Sequence, residues 1–151
     1  MVEVVLVYPD IPQNTGNIGR TCVATGTALH LVRPLGFSLE QSRVKRAGLD
    51  YWPHLKLQVH DDWAAFRESH RRRQLFCFST HARKLLHQVD FPRDAMLVFG
   101  SETKGLSREI LTQGEPVRIP MLSEYRSLNL GNAVAVAIYE WMRQHNYPGL
   151  T

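Results

Sequence analysis

Three stretches of this sequence combine glycine with hydroxyl, amide or charged side chains in spacings that ligand chemistry uses. The first, Pro9-Asp-Ile-Pro-Gln-Asn14-Thr-Gly16-Asn17-Ile-Gly19-Arg20, joins an apolar run to a segment of helical spacing. Its glycines let backbone approach a ligand, and Asn14, Thr15 and Asn17 can cap a helix or donate to a bound group. Arg20 falls in the first turn or two of the expected helix, where a cation opposes the helix dipole and gains little local stability. A charge set against that preference is either a functional group or a plain exposed side chain beside a cap.

The second stretch, Phe99-Gly100-Ser101-Glu102-Thr103-Lys104-Gly105-Leu106-Ser107, nearly spells a phosphate-cradling loop. Gly100 and Gly105 have the required separation, but Leu106 stands where the phosphate-binding lysine belongs, and nucleotide hydrolysis is set aside. A dinucleotide fingerprint fails too, because no two of the ten glycines lie two residues apart. The third stretch runs from Ile119-Pro120-Met121 to Ser127-Leu128-Asn129-Leu130-Gly131. Ser127 and Asn129 serve either as helix caps or as the polar lining of a cavity for an adenosine-like ligand, with Met121 and Leu128 against its ring.

These loops need a frame. Apolar β-rich runs recur at Val2 to Tyr8, Leu29 to Arg33, Leu55 to Val59, Gln74 to Ser79, Ala95 to Phe99 and Pro116 to Ile119. Helical spacing lies between several of them, at Gly16 to Thr27, Leu39 to Ala47, Asp61 to His70 and Leu106 to Leu111, and again from Asn129 to His145. The alternation predicts an α/β fold, a parallel sheet flanked by helices, in a single domain over residues 1–151. The runs Val-Val-Leu-Val, Leu-Phe-Cys-Phe and Met-Leu-Val-Phe are continuous rather than alternating, as strands buried on both faces should be. Open parallel sheets bind ligands beyond the carboxyl ends of their strands, where all three stretches fall. In the last helix Ala133, Val134, Val136, Ala137, Ile138, Trp141 and Met142 spread over more than one face, which implies either a partner subunit or deep burial in its own domain.

With 151 residues the chain is long enough to bury a core without a staple. Cys22 and Cys77 lack the Cys/His spacing of a zinc site, so no metal is expected and both should be small buried apolar residues. No apolar run is long enough for a membrane helix and no signal-peptide layout opens the chain, which points to the cytoplasm. The formal net charge of +4 permits a polyanionic partner without demanding one. Between positions 67 and 84, Arg67, Arg71, Arg72, Arg73, Arg83 and Lys84, with His70 and His81, face only Glu68, either as an RNA contact or as solvated surface.

Taken in order, Asn14-Thr-Gly-Asn-Ile-Gly-Arg20, Phe99-Gly-Ser-Glu-Thr-Lys-Gly-Leu106 and Ile119-Pro-Met121 with Ser127-Leu-Asn129 resemble the three motifs of the SPOUT RNA methyltransferases. Arg46-Ala-Gly-Leu-Asp-Tyr51 and Tyr147-Pro-Gly149 extend the likeness to the TrmL-like branch, small stand-alone tRNA ribose 2′-O-methyltransferases that modify the wobble nucleotide. The resemblance implies a C-terminal trefoil knot, a homodimer formed through it, and S-adenosylmethionine as methyl donor, leaving S-adenosylhomocysteine. It implies donor contacts at Phe78, Gly100, Ile119, Met121, Ser127 and Leu128, and Arg20 as the residue that meets the ribose hydroxyl. Asn14, Asn17, Glu102 and Asn129, with Arg71 and Arg72, are the expected tRNA contacts. Ser101 and Gly131 depart from the family pattern, which commonly has proline and serine there. The alternatives are methylation at another tRNA or ribosomal RNA position, and a non-catalytic RNA-binding module, which would not need to bind the donor.

Overall fold

The computed structural model describes residues 1–40 and 50–151; most of the helix expected over Leu39 to Ala47, and most of the stretch from Arg46 to Tyr51, lie outside them. Among the described residues six strands form one sheet: β1 (Glu3–Val7), β2 (Ala28–Val32), β3 (Leu57–His60), β4 (Leu75–Phe78), β5 (Met96–Phe99) and β6 (Glu115–Val117). Their order is β3-β2-β1-β5-β4-β6 and every pairing is parallel, so the expected parallel sheet is borne out. Pro116, which cannot donate to a ladder, sits in the edge strand β6, where a missing N–H is tolerated.

The continuous apolar runs resolve into two faces because successive side chains of a strand point opposite ways. Val4, Leu6, Leu29, Leu31, Leu97 and Phe99 join one core with Ile18 and Cys22 of α1 (Pro12–Thr25) and Val134, Ala137, Ile138, Trp141 and Met142 of α4 (Leu130–Gln144). Val5, Val7, Val32, Cys77 and Val98 face the other way, onto Trp63 and Phe66 of α2 (Trp63–Ser69) and Ile110 of α3 (Arg108–Leu111). Cys22 and Cys77 thus lie in different cores, both buried and unbridged, and burial pushes each thiol up to about 12.

The structure corrects one expectation about helices and bears on an alternative left open for another. The first helix begins at Pro12 rather than Gly16, with proline in its first turn, where a missing N–H does no harm. Arg20 is therefore the ninth of its 14 residues, and the dipole argument for singling it out does not apply. In α4, most of the apolar excess is sunk in the chain's own core: Ile138 is fully buried. What remains outside is a narrower stripe, with Val136 at 44% and Tyr139 at 47% exposure.

The basic run from 67 to 84 is not one patch. Strand β4 divides it, leaving Arg67 to Arg73 at the amino ends of the strands and Arg83 and Lys84 at the carboxyl ends. Four strand residues separate the groups by roughly 13 Å of backbone. Arg73 turns inward to Glu3 and Asp94, Arg71 pairs with Glu68, and Lys84 pairs with Glu115.

The two apolar positions on α4 carry an immediate test. Ile138→Glu buries an unpaired carboxylate and should abolish cooperative thermal unfolding, whereas Val136→Glu should keep the native circular dichroism spectrum. A folded Ile138→Glu variant would show that α4 is not packed as described.

Candidate functional site

Beyond the carboxyl ends of β4, β5 and β6 lies a cavity of about 540 Å³. That volume is in the range of small-molecule sites, roughly 300–1,000 Å³. All six expected donor contacts, Phe78, Gly100, Ile119, Met121, Ser127 and Leu128, lie on its wall, together with Asn14, Glu102 and Asn129. Phe78 and Phe99, which end adjacent strands, stack with ring centroids 4.5 Å apart and planes inclined by 12°, giving the cavity a rigid apolar base. The wall also includes Leu106 of the second stretch, and Ser79 and Thr80, which the sequence did not single out.

A chain of hydrogen bonds ties the three loops together. Asn129 Nδ2 donates to Asn14 Oδ1 at 3.0 Å, and Asn14 Nδ2 donates to Glu102 Oε1 at 3.4 Å. Glu102 also accepts from the backbone N–H of Asp10 through Oε2 at 2.7 Å and of Ile11 through Oε1 at 3.2 Å. Ile11, at the start of α1, has no capping side chain of its own, so a carboxylate from the β5 loop supplies negative charge to that helix N-terminus. Thr103 Oγ1 reinforces the tie by donating to Asp10 Oδ2 at 2.8 Å. Asn129 meanwhile caps α4, its Oδ1 accepting from the N–H of Asn132 at 3.2 Å. Capping and cavity lining, which the sequence offered as alternatives for Asn129, are both realised. Both Glu102 carboxylate oxygens accept hydrogen bonds within the fold, on the wall of the cavity.

Gly100 is explained differently from the sequence argument. A Cβ there would lie 2.1 Å from the carbonyl carbon of Gly105, so the missing side chain lets the loop of residues 101–105 close on itself. Gly105, at φ +66°, completes that turn and donates its N–H to the Ser101 carbonyl at 2.9 Å. Arg20 and Asn17 do not reach the cavity wall. Both are exposed on α1, and the Arg20 guanidinium lies 5.2 Å from the centre of the Tyr51 ring. Arg71 and Arg72, the expected tRNA contacts outside the three loops, are exposed at the opposite end of the sheet from this cavity.

Residues 1–139 match the SpoU rRNA Methylase family, and the chain belongs to that family. Among its relatives, a tRNA (cytidine(34)-2'-O)-methyltransferase of Methylovorus glucosotrophus is 47% identical over 152 residues and aligns over 99% of both chains. A putative tRNA (cytidine(34)-2'-O)-methyltransferase of Bacillus subtilis is 42% identical over 154 residues, covering 99% of this chain and 96% of its own length. A solved structure described as giving insight into the 2-OH methylation of C/U34 on tRNA matches with a TM-score of 0.94 at 48% identity, over 97% of each chain. The SpoU methyltransferase AviRb of Streptomyces viridochromogenes, solved in complex with AdoMet, matches with a TM-score of 0.86 at 25% identity, over 95% of this chain and 60% of that one.

SpoU methyltransferases use S-adenosylmethionine as methyl donor, and the cavity fits that molecule. Ile119, Met121, Leu106 and Leu128 provide apolar surface for an adenine ring, while Ser127 and the turn at Gly100 provide polar groups. Two glycine variants separate loop closure from general backbone strain. Gly100→Ala drives a methyl group into the Gly105 backbone and should weaken S-adenosylmethionine binding at least tenfold by calorimetry. Gly105→Ala meets open space and should cost about 1–2 kcal/mol of stability, from its left-handed conformation alone, with binding retained. Equal affinity in wild type and Gly100→Ala would overturn the role given to that loop.

Proposed function

We propose that this protein transfers the methyl group of S-adenosylmethionine to the ribose 2′-hydroxyl of the first anticodon nucleotide of tRNA, cytidine or uridine 34. The observation that carries this reading is a donor-sized cavity, closed by three interlocked loops, in a chain that aligns end to end with relatives named for that reaction. The donor contacts are Phe78, Gly100, Ile119, Met121, Ser127 and Leu128 on the cavity wall, and Asn14, Asn17, Glu102 and Asn129 are assigned to the RNA.

S-adenosylmethionine supplies an electrophilic methyl on a cationic sulfur, whose S–C bond breaks as the O–C bond forms, leaving S-adenosylhomocysteine. The chain's task is to hold hydroxyl and methyl in line and to steady the charge as the hydroxyl proton departs to water or to an RNA phosphate. Arg20 meets that hydroxyl, either as the base that takes its proton instead or as a cation beside the developing alkoxide. Arg20 is off the cavity wall of its own chain, which favours an assembly in which one subunit's cavity works with the partner's Arg20. The exposed Val136 and Tyr139 stripe on α4 gives such a homodimer an apolar contact.

The trefoil knot belongs to the same proposal. After β6 at the sheet edge the chain pairs Arg118 with Leu85, then returns over residues 119–129 to start α4 beside α1. Chains rarely thread their own loops, so the knot rests on the likeness to the family's motifs. Arg71 and Arg72, remote from the cavity of their own chain, are assigned to tRNA phosphates. No helix among the described residues is long and apolar enough to cross a membrane, and we place the reaction in the cytoplasm, where tRNA is modified.

Methyl transfer to total tRNA from radiolabelled donor tests the reading. Arg20→Ala should retain donor binding while turnover falls at least a hundredfold, and Arg20→Lys should fail as well because an ammonium lacks the planar fork. Near-normal turnover in Arg20→Ala would overturn its role. Sedimentation should give a dimer for the wild type and inactive monomers for Val136→Glu; a fully active wild-type monomer would contradict the shared site. Binding across a salt series should give a shallower slope for Arg71→Glu with Arg72→Glu, and an unaltered slope would make both ordinary surface charges.

A further inference from the structure

A second polar cluster lies on the other side of the sheet from α1 and α4, under α2 and away from the cavity. His30 of β2, His60 of β3 and His70, just beyond α2, meet there around the ring of Phe66, and Glu3 of β1 reaches His30. His30 is completely buried, and the reaction proposed for the cavity makes no use of any of the four. Buried imidazoles and carboxylates demand partners, so the arrangement of their atoms is informative.

Each of three groups is fixed from behind. His70 Nδ1 lies 3.0 Å from the Phe66 carbonyl oxygen, His30 Nδ1 lies 2.9 Å from His60 Nε2, and Glu3 Oε1 accepts from Arg73 Nη1 at 3.0 Å. Outer hydrogen bonds of this type orient metal ligands: an imidazole anchored through one nitrogen presents the other, and a ligating carboxylate is itself held. On the inner side Glu3, His30 and His70 each offer one ligand atom, all within 4.8 Å of one another. We propose that Glu3, His30 and His70 form a binding site for a divalent transition-metal ion, Zn²⁺ in the first instance, with His60 and Arg73 as its outer shell.

Two imidazoles and a carboxylate are a zinc donor set, with a fourth position left to water. Tetrahedral ligands about 2.1 Å from the ion stand roughly 3.4 Å apart. The present Glu3 Oε2 to His30 Nε2 contact is 2.6 Å, so the carboxylate withdraws by roughly 0.8 Å, within reach of a partly buried side chain on the first residue of its strand. A bound ion would pin β1, β2 and the turn after α2 to one another. The rival occupant of the contact is a proton shared between His30 and Glu3. The two thiols offer no competing site, since burial keeps both protonated in separate cores.

The full-length protein, stripped with EDTA and dialysed into metal-free buffer, is titrated with zinc chloride against a chromophoric chelator. One Zn²⁺ per chain is expected, with Co²⁺ giving the visible absorption of a tetrahedral site. His70→Ala and Glu3→Gln should each weaken zinc at least tenfold, and His60→Ala, which removes an outer-shell partner, by roughly tenfold. Circular dichroism and S-adenosylmethionine affinity, read at the other end of the sheet, should be unchanged in His70→Ala. Failure to take up zinc at micromolar concentration, or equal affinity in wild type, His70→Ala and Glu3→Gln, would overturn the site and leave the shared proton.

Discussion

One carboxylate holds the functional end of this molecule together. Glu102, on the loop after β5, accepts from the backbone at the start of α1 and from Asn14, which in turn accepts from Asn129 at the start of α4. Loops after three different strands are thereby linked through one anion. A hydrogen bond to a charged group contributes roughly 1.5–3 kcal/mol, and leaving its partner buried and unpaired costs as much again. The cavity is bounded by these same loops, so its shape depends on bonds that no ligand makes.

The parallel sheet makes that arrangement available. Every strand delivers its carboxyl end to the same side, so the segments after β1, β4, β5 and β6 converge without long detours. The two faces are then free to differ. One carries α1 and α4 in an apolar core that ends at the cavity, and the other carries α2 over a core with a polar centre at Glu3, His30, His60 and His70. In that centre the Glu3 carboxyl is drawn down to about 2, chiefly by its hydrogen bond to His30 and against the opposing effect of burial, with Arg73 assisting.

Much of this was legible in the chain. Continuous Val- and Leu-rich runs marked strands buried on both faces, and all six fall within a few residues of the observed elements. Motif order identified the loops, and the six residues assigned to the donor converge on one cavity. What the sequence hid follows from distance along the chain. Nothing local indicates that Glu102 caps a helix starting 90 residues earlier, and the separation of Gly100 and Gly105 reads as phosphate-loop spacing until the close contact between the two is seen. The basic run from 67 to 84 is contiguous in sequence but split by a strand. The histidines stayed invisible because ligand-spacing rules look for neighbours, whereas these come from two strands and the turn beyond a helix, with their carboxylate partner on a third strand.

Mapping the position of the methyl group tests the functional assignment most directly. Unmodified tRNA incubated with the purified protein and S-adenosylmethionine, then digested and sequenced by mass spectrometry, should carry one new 2′-O-methyl ribose at the first anticodon position, on cytidine or uridine. A methyl on a base, or on a ribose anywhere else in the tRNA, would contradict it.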